Sequence, residues 1–212
     1  MICVAISDKN YDNCLSVLNR VDMAEIRLDL VDFDFEQISQ VFSLPKKLIA
    51  TYRPVDGKEE ERLPKLIAAI EAGAKYVDIE HESEEGYRNE LIKYAHKCNC
   101  DVIVSYHNFE FTPDCHELEK TVKKAFAMGA DVAKVVTMIK TNLDNSKIIS
   151  LYKDPGRIVA FGMGNLGKIT RIIAPFLGAE FTFAAMDEGL ATAPGQISYS
   201  KIKSIIQQIE GA

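Results

Sequence analysis

Lys134 sits inside the run Asp131-Val132-Ala133-Lys134-Val135-Val136, which otherwise reads as a buried β-strand. An ammonium in such a strand is costly unless it is paired or loses its proton. Burial disfavours the charged form, and a neutral amine is a nucleophile. A lysine near a strand end can also carry its head into solvent. Four other apolar runs weigh on the choice. With a period of two, Glu25, Arg27 and Asp29 share one face, opposite Ala24, Ile26 and Leu28. Thr51 and Arg53 share a face, as do Asp78 and Glu80, and Ser105 and His107. In every case the polar residues come late in the run. Together with Lys134 they point to one polar centre holding a nucleophile and an imidazole able to carry protons near neutral pH.

The runs that must position these groups recur along the chain. The pattern predicts strands over Ile2–Ile6, Ala24–Asp29, Lys47–Arg53, Tyr76–Glu80, Asp101–Tyr106, Val132–Thr137, Arg157–Phe161 and Glu180–Ala184. Helical spacing falls between them, over Glu60–Ala72, Tyr87–Cys98, His116–Met128, Leu143–Tyr152 and Lys168–Leu177, and a last helix covers Tyr199–Glu210. Strands alternating with helices imply parallel pairing with crossover helices. Eight units match an α/β (β/α)8 TIM barrel, where catalytic groups gather at the C-terminal ends of the strands. An open doubly wound sheet is the competing fold and usually needs fewer strands. No linker, repeat or low-complexity stretch divides the chain, so residues 1–212 read as a single barrel domain.

The 212 residues lie at the lower edge for such barrels, which usually run to about 250, so the loops must be short. No cationic and apolar leader and no membrane-length apolar stretch is seen, and a soluble, cytoplasmic protein is expected. The net charge of −6 argues against nucleic-acid or membrane partners. An anionic substrate would then need arginines that make a local positive site. Five cysteines without a leader fit a reducing compartment. His96, Cys98, Cys100, Cys115 and His116 lack a standard zinc spacing, so no metal is expected. Gly162-Met-Gly164-Asn-Leu-Gly167, with Asp187 beyond it, matches a dinucleotide fingerprint. It comes at the seventh strand rather than in an opening βαβ unit. A barrel phosphate site and a tight turn that aims Arg171 at a carboxylate are the other readings.

The motifs Glu25-Ile-Arg27-Leu-Asp29, Asp78-Ile-Glu80, Ser105-Tyr-His107, Ala133-Lys134-Val135, Met163-Gly164-x-x-Gly167-x-x-Thr170-Arg171 and Ala193-Pro194-Gly195-Gln196 occur in order. As a set, spanning nearly the whole chain, they resemble type I 3-dehydroquinate dehydratase, the Schiff-base dehydratase of the shikimate pathway. Asn108 stands where that family often has Asp, Thr170 where Ser is common, and Thr192 where a Ser often contacts substrate. The amino-terminal hairpin found in many members is not evident, which leaves open how the barrel floor is closed.

The resemblance implies the substrate 3-dehydroquinate, a cyclic β-hydroxy ketone with a carboxylate, and a syn elimination of water to 3-dehydroshikimate in aromatic amino-acid biosynthesis. Lys134 condenses with the ketone, and the iminium stabilises the carbanion left when an α proton is removed. His107 serves as base and then acid, with Glu80 orienting it. By resemblance, Arg171 and Gln196 grip the carboxylate with Thr192 assisting, while Glu25, Arg27 and Arg53 hold ring hydroxyls. Glu25 and Arg27 paired with each other is the structural alternative. The composition of Met186–Ile197 suits a lid. No cofactor is expected, and the assembly expected is a homodimer. Two other functions stay open: a Schiff-base aldolase acting on a phosphorylated sugar, and a non-catalytic barrel that senses a small anion.

Overall fold

The computed structural model describes residues 1–57, 59–153, 156–186 and 195–211. Eight strands alternate with eight α-helices through these residues. The strands are β1 (Ile2–Ile6), β2 (Met23–Arg27), β3 (Lys47–Thr51), β4 (Tyr76–Glu80), β5 (Asp101–Asn108), β6 (Val132–Met138), β7 (Ile158–Met163) and β8 (Thr182–Ala185). The helices are α1 (Tyr11–Leu18), α2 (Phe35–Phe42), α3 (Glu59–Glu71), α4 (Glu85–Lys97), α5 (Cys115–Ala127), α6 (Asn142–Ile149), α7 (Lys168–Ile173) and α8 (Tyr199–Glu210). All strand pairs are parallel, in the order β7-β6-β5-β4-β3-β2-β1-β8. A backbone bond from Glu180 N to Ile158 O, 3.0 Å long, crosses the remaining seam between β7 and β8. The result is the predicted (β/α)8 barrel, nearly closed.

Strand alternation builds two cores. Outward residues such as Ile26, Leu48, Val77, Val104 and Val135 are buried under the helices with Leu18, Ile38, Leu66, Leu91 and Leu118. Inward residues early in the strands, among them Cys3, Met23, Ile49, Tyr76, Ile103, Val132, Val159 and Phe181, fill the lower barrel. Each such side chain, fully buried, contributes roughly 1.5–3 kcal/mol. Below that plug, Tyr76 donates to Glu180 at 3.0 Å, and Arg157 bridges Glu180 and Asp101 at 2.8 and 2.9 Å. Lys75 joins Asp101 at 3.0 Å. A polar network at the strand starts therefore lies across the floor of the barrel.

The polar groups begin one layer higher, so the inside of the barrel changes from dry to polar along β2 to β6. β5 and β6 run further than the periodicity predicts, to Asn108 and Met138. The sixth and seventh helices are shorter. α6 ends at Ile149 and continues as a 3-10 turn over Ser150–Lys153. α7 ends at Ile173, and Ala174–Leu177 is 3-10, with Pro175 in its first turn. Proline removes the backbone donor an α-helix would use there. α1 and α2, which hydrophobic spacing alone does not reveal, are set by their caps. Asn10 accepts from Asn13 N, and Asp34 and Gln37 form a capping box.

Candidate active site

A cavity of about 390 Å³ opens at the C-terminal ends of the strands. Its lining includes Glu25, Arg27, Arg53, Glu80, His107, Lys134, Arg171 and Gln196, eight of the nine residues expected from sequence. The ninth, Thr192, lies outside the described residues, as does most of the expected lid.

Lys134 is buried near the centre. Its Nζ lies 2.9 Å from Asp78 Oδ2 and 3.5 Å from Glu25 Oε1, and 4.4 Å from the centroid of the Phe183 ring. Of the two ways to bury this amine, pairing is the one seen: two carboxylates flank its nitrogen. Thr51 Oγ1 donates to Glu25 at 2.9 Å, and Ser105 Oγ donates to Asp78 at 2.6 Å. Burial opposes the charge on Asp78, but Arg53 and Lys134 outweigh it and hold the carboxyl well below its ordinary range. Asp78 is therefore a poor proton acceptor and a good anchor. Its position two residues before Glu80, on the same face, was the signal for this role.

His107 lies across the β5/β6 ladder, where Ser105 pairs with Lys134 and His107 with Val136. Its ring stacks on Phe109, 6.0 Å between centroids at 12°. Burial, reinforced by the charges of Arg53 and Lys134, pushes the imidazole well below its ordinary pKa, against a smaller pull from Asp78. The ring is neutral at neutral pH and ready to accept a proton.

The structure does not bring Glu80 to His107. Glu80 Oε1 meets Arg53 Nη1 at 2.5 Å, and Oε2 accepts from Arg62 and from Ser83 Oγ. The imidazole of His107 makes no hydrogen bond to another described residue. Two guanidiniums outcompete one imidazole for this carboxylate. Arg53 also holds Asp78 at 2.8 Å, so it is a strut between two carboxylates as well as a lining group. Burial works against its charge, but Asp78 and Glu80 more than offset this and raise its pKa. Arg27 pairs with Asp29 through bonds of 2.9 and 2.6 Å, which replaces the expected alternative of a pair with Glu25.

Arg171 differs from the other arginines. Its side chain is fully buried, its guanidinium lies 4.0 Å over the Phe161 ring, and Nη1 makes one long bond of 3.5 Å to Phe183 O. Nε and Nη2 have no partner among the described residues. Burial pushes its pKa down to about 9. The glycine motif explains how it arrives there. A Cβ on Gly167 would lie 2.5 Å from Gly162 C, so the helix start packs directly on the strand. Thr170 Oγ1 accepts from Gly162 N at 2.8 Å and donates to Gly167 O at 2.6 Å. Of the three readings of this motif, the geometry matches the turn that aims Arg171. Gly195, at φ +80°, packs against Gly164 so closely that a Cβ would meet its oxygen at 2.3 Å. That contact sets Gln196 at the same end of the cavity as Met163 and Arg171.

Among the described residues no group of three or more His, Cys, Asp or Glu is arranged to hold a metal, and no helix is long and apolar enough to cross a membrane.

The solved structure of 3-dehydroquinate dehydratase from Geobacillus kaustophilus superposes with a TM-score of 0.87 at 23% identity, covering 99% of this chain and 91% of that one. A type I enzyme from Clostridium difficile carrying covalently modified comenic acid gives 0.85 at 22% identity, over 99% and 92%. A 3-hexulose-6-phosphate synthase from Salmonella typhimurium gives 0.65 at 18%, over 98% of both chains, a likeness of fold. In sequence, a 3-dehydroquinate dehydratase of Methanococcus maripaludis is 38% identical over 99% of this chain and its own full length. The counterpart from Methanocaldococcus jannaschii is 33% identical over 97% of both. The family model for type I 3-dehydroquinase matches residues 2–212, and the chain belongs to that family.

Proposed function

We propose that this protein is a hydro-lyase that converts 3-dehydroquinate to 3-dehydroshikimate through a Schiff base on Lys134. The observation that carries this reading is one cavity holding a buried lysine, a histidine and a buried arginine with two donors unpartnered among the described residues. Lys134 gives up a proton to His107, its amine attacks the ketone carbon, and one proton from the amine and the one held by His107 pass to the carbonyl oxygen. Loss of the carbonyl oxygen as water leaves an iminium. His107 takes the α proton, and the electron pair moves into the iminium to give an enamine. The enamine pushes out the β hydroxyl, which leaves as water with the proton returned by His107. Water then hydrolyses the conjugated iminium, releasing the enone and Lys134. Asp78 and Glu25 stabilise the lysine nitrogen whenever it is cationic, before and after condensation. Glu80 supports Arg53 rather than touching the reacting proton.

Arg171 anchors the carboxylate. A buried guanidinium over an aromatic face, with no anion beside it among the described residues, is poorly stabilised, and a carboxylate restores what burial removes. Arg171→Ala should raise KM by about ten- to a hundredfold, the worth of a charged hydrogen bond of roughly 1.5–3 kcal/mol. Arg171→Lys should recover only part, because a point charge cannot replace the fork. The carboxamide analogue of the substrate should bind poorly to the native protein yet lose little more on Arg171→Ala. Equal damage to acid and amide would make Arg171 structural. Gln196, and Thr192 by resemblance, complete this end of the site. Arg27 and Glu25 face the ring hydroxyls.

A cytoplasmic homodimer belongs to the same reading. All five cysteines are free, in keeping with a reducing compartment. Leu143, Leu166, Ile169 and Phe176, each exposed on or beside α6 and α7, are the apolar side chains assigned here to contact with a second copy. Light scattering of the purified protein tests the assembly. Formation of a conjugated enone carboxylate from 3-dehydroquinate, followed by ultraviolet absorbance, tests the reaction.

A further inference from the structure

Glu80 is gripped from two sides, and one grip comes from outside the cavity. Arg62 belongs to α3 and is absent from the cavity lining. Its Nε donates to Tyr52 O at 2.9 Å, its guanidinium lies 4.6 Å over the Tyr87 ring, and its Nη2 donates to Glu80 Oε2. Three contacts of different kinds thus fix one guanidinium, with its side chain 11% exposed. The β4/β5 register sets Glu80 opposite Ser105. Glu80 and His107 are therefore diagonal neighbours on the inner face, a spacing that long side chains can bridge. Yet His107 donates no hydrogen bond to Glu80, whose two oxygens accept from Arg53, Arg62 and Ser83.

We propose that Arg62 is a positioning residue for the dehydration: by occupying Glu80 Oε2 it keeps that carboxylate on Arg53 and off His107. The proposal rests on reading His107 as the proton carrier. Besides burial, the charged groups acting on His107 are Arg53 beyond β3, Lys134 of β6 and Arg27 of β2, opposed by Asp78 of β4. Glu82, beyond β4, shares the cavity lining with Glu80. The cations and burial together keep the imidazole neutral. A carboxylate released onto the ring would reverse that balance, because it stabilises the imidazolium. Arg62 therefore acts on the chemistry through Glu80, without touching substrate.

The test is an NMR titration of His107 in the ligand-free protein, its signal identified by loss in His107→Gln. Wild type, Arg62→Gln, Arg62→Lys and the Arg62→Gln/Glu80→Gln double variant are compared. In Arg62→Gln the His107 midpoint should move up toward or above the ordinary value. Arg62→Lys should give an intermediate shift, because one ammonium cannot hold Tyr52 O and Glu80 together, and it serves alone if Arg62→Gln does not fold. Removing the Glu80 carboxylate as well should cancel the rise. In parallel, the ratio of kcat/KM near pH 6 to that near pH 8 should fall roughly threefold or more in Arg62→Gln. An unmoved His107 midpoint, or a rise that survives Glu80→Gln, overturns the proposal. A wild-type protein that leaves 3-dehydroquinate unchanged overturns the proposed reaction instead, and the titration still reports on Arg62.

Discussion

Lys134→Met should abolish turnover, with kcat/KM lower by roughly 10⁴-fold or more, since the covalent route disappears with its nucleophile. Methionine matches the length of the aliphatic stem, so packing against Phe183 is largely kept. The electrostatics are not kept. Asp78 and Glu25 lose the ammonium that sits 2.9 and 3.5 Å away. Breaking a buried pair from one side costs about 3–5 kcal/mol, and Arg53 and Ser105, still bonded to Asp78, reduce that figure here. The variant should therefore fold with a lowered Tm and still bind the substrate carboxylate at Arg171. A loss confined to KM would mean that Lys134 binds rather than reacts.

His107→Ala should lower kcat by about 10²–10⁴-fold with a much smaller effect on binding, the usual worth of a positioned acid–base group. One residue serves the α proton, the leaving hydroxyl and the imine exchanges, so the upper part of that range is expected. The imine should still form slowly and accumulate in the variant. The native pH profile carries a second sign of the same group. Burial, Arg53 and Lys134 hold the imidazole well below its ordinary pKa, so kcat/KM should stay level as pH falls through about 6.5 and decline only below it. A decline centred at or above the ordinary histidine value would place a different base in the reaction. Near-normal kcat in His107→Ala would do the same.

The barrel was legible because five of its strands write their address twice. Apolar residues with a period of two mark both the helix-facing surface and the lower plug, and the polar residues that follow mark the upper end. Lys134 was singled out by its charge in an apolar strand, His107 by its inward place one strand away, and Arg171 by the glycine turn before it and by resemblance. Helix ends were less legible. α7 stops at Ile173 because of Pro175, while the hydrophobic spacing runs on to Leu177. The partner of Glu80 was not legible at all. Period-two reading finds residues that share a face within one strand, and it correctly puts Glu80 and His107 on one inner surface. Which of several cations captures a carboxylate depends on where long side chains end. Arg62 enters from a helix whose own pattern speaks only of its core-facing side. Which carboxylates flank Lys134 was not legible for a related reason: Asp78 and Glu25 come from strands distant in sequence, and only barrel closure brings them to the amine.

Trapping the imine tests the Schiff-base chemistry at Lys134 most directly. The protein is incubated with 3-dehydroquinate, reduced with borohydride, digested and analysed by mass spectrometry. Activity should be lost only when substrate and borohydride are both present. The added mass, that of the reduced imine, should lie on the peptide containing Lys134, and Lys134→Met should acquire none. Label on a peptide carrying a different lysine, or full turnover with no adduct under any condition, would contradict covalent catalysis at Lys134.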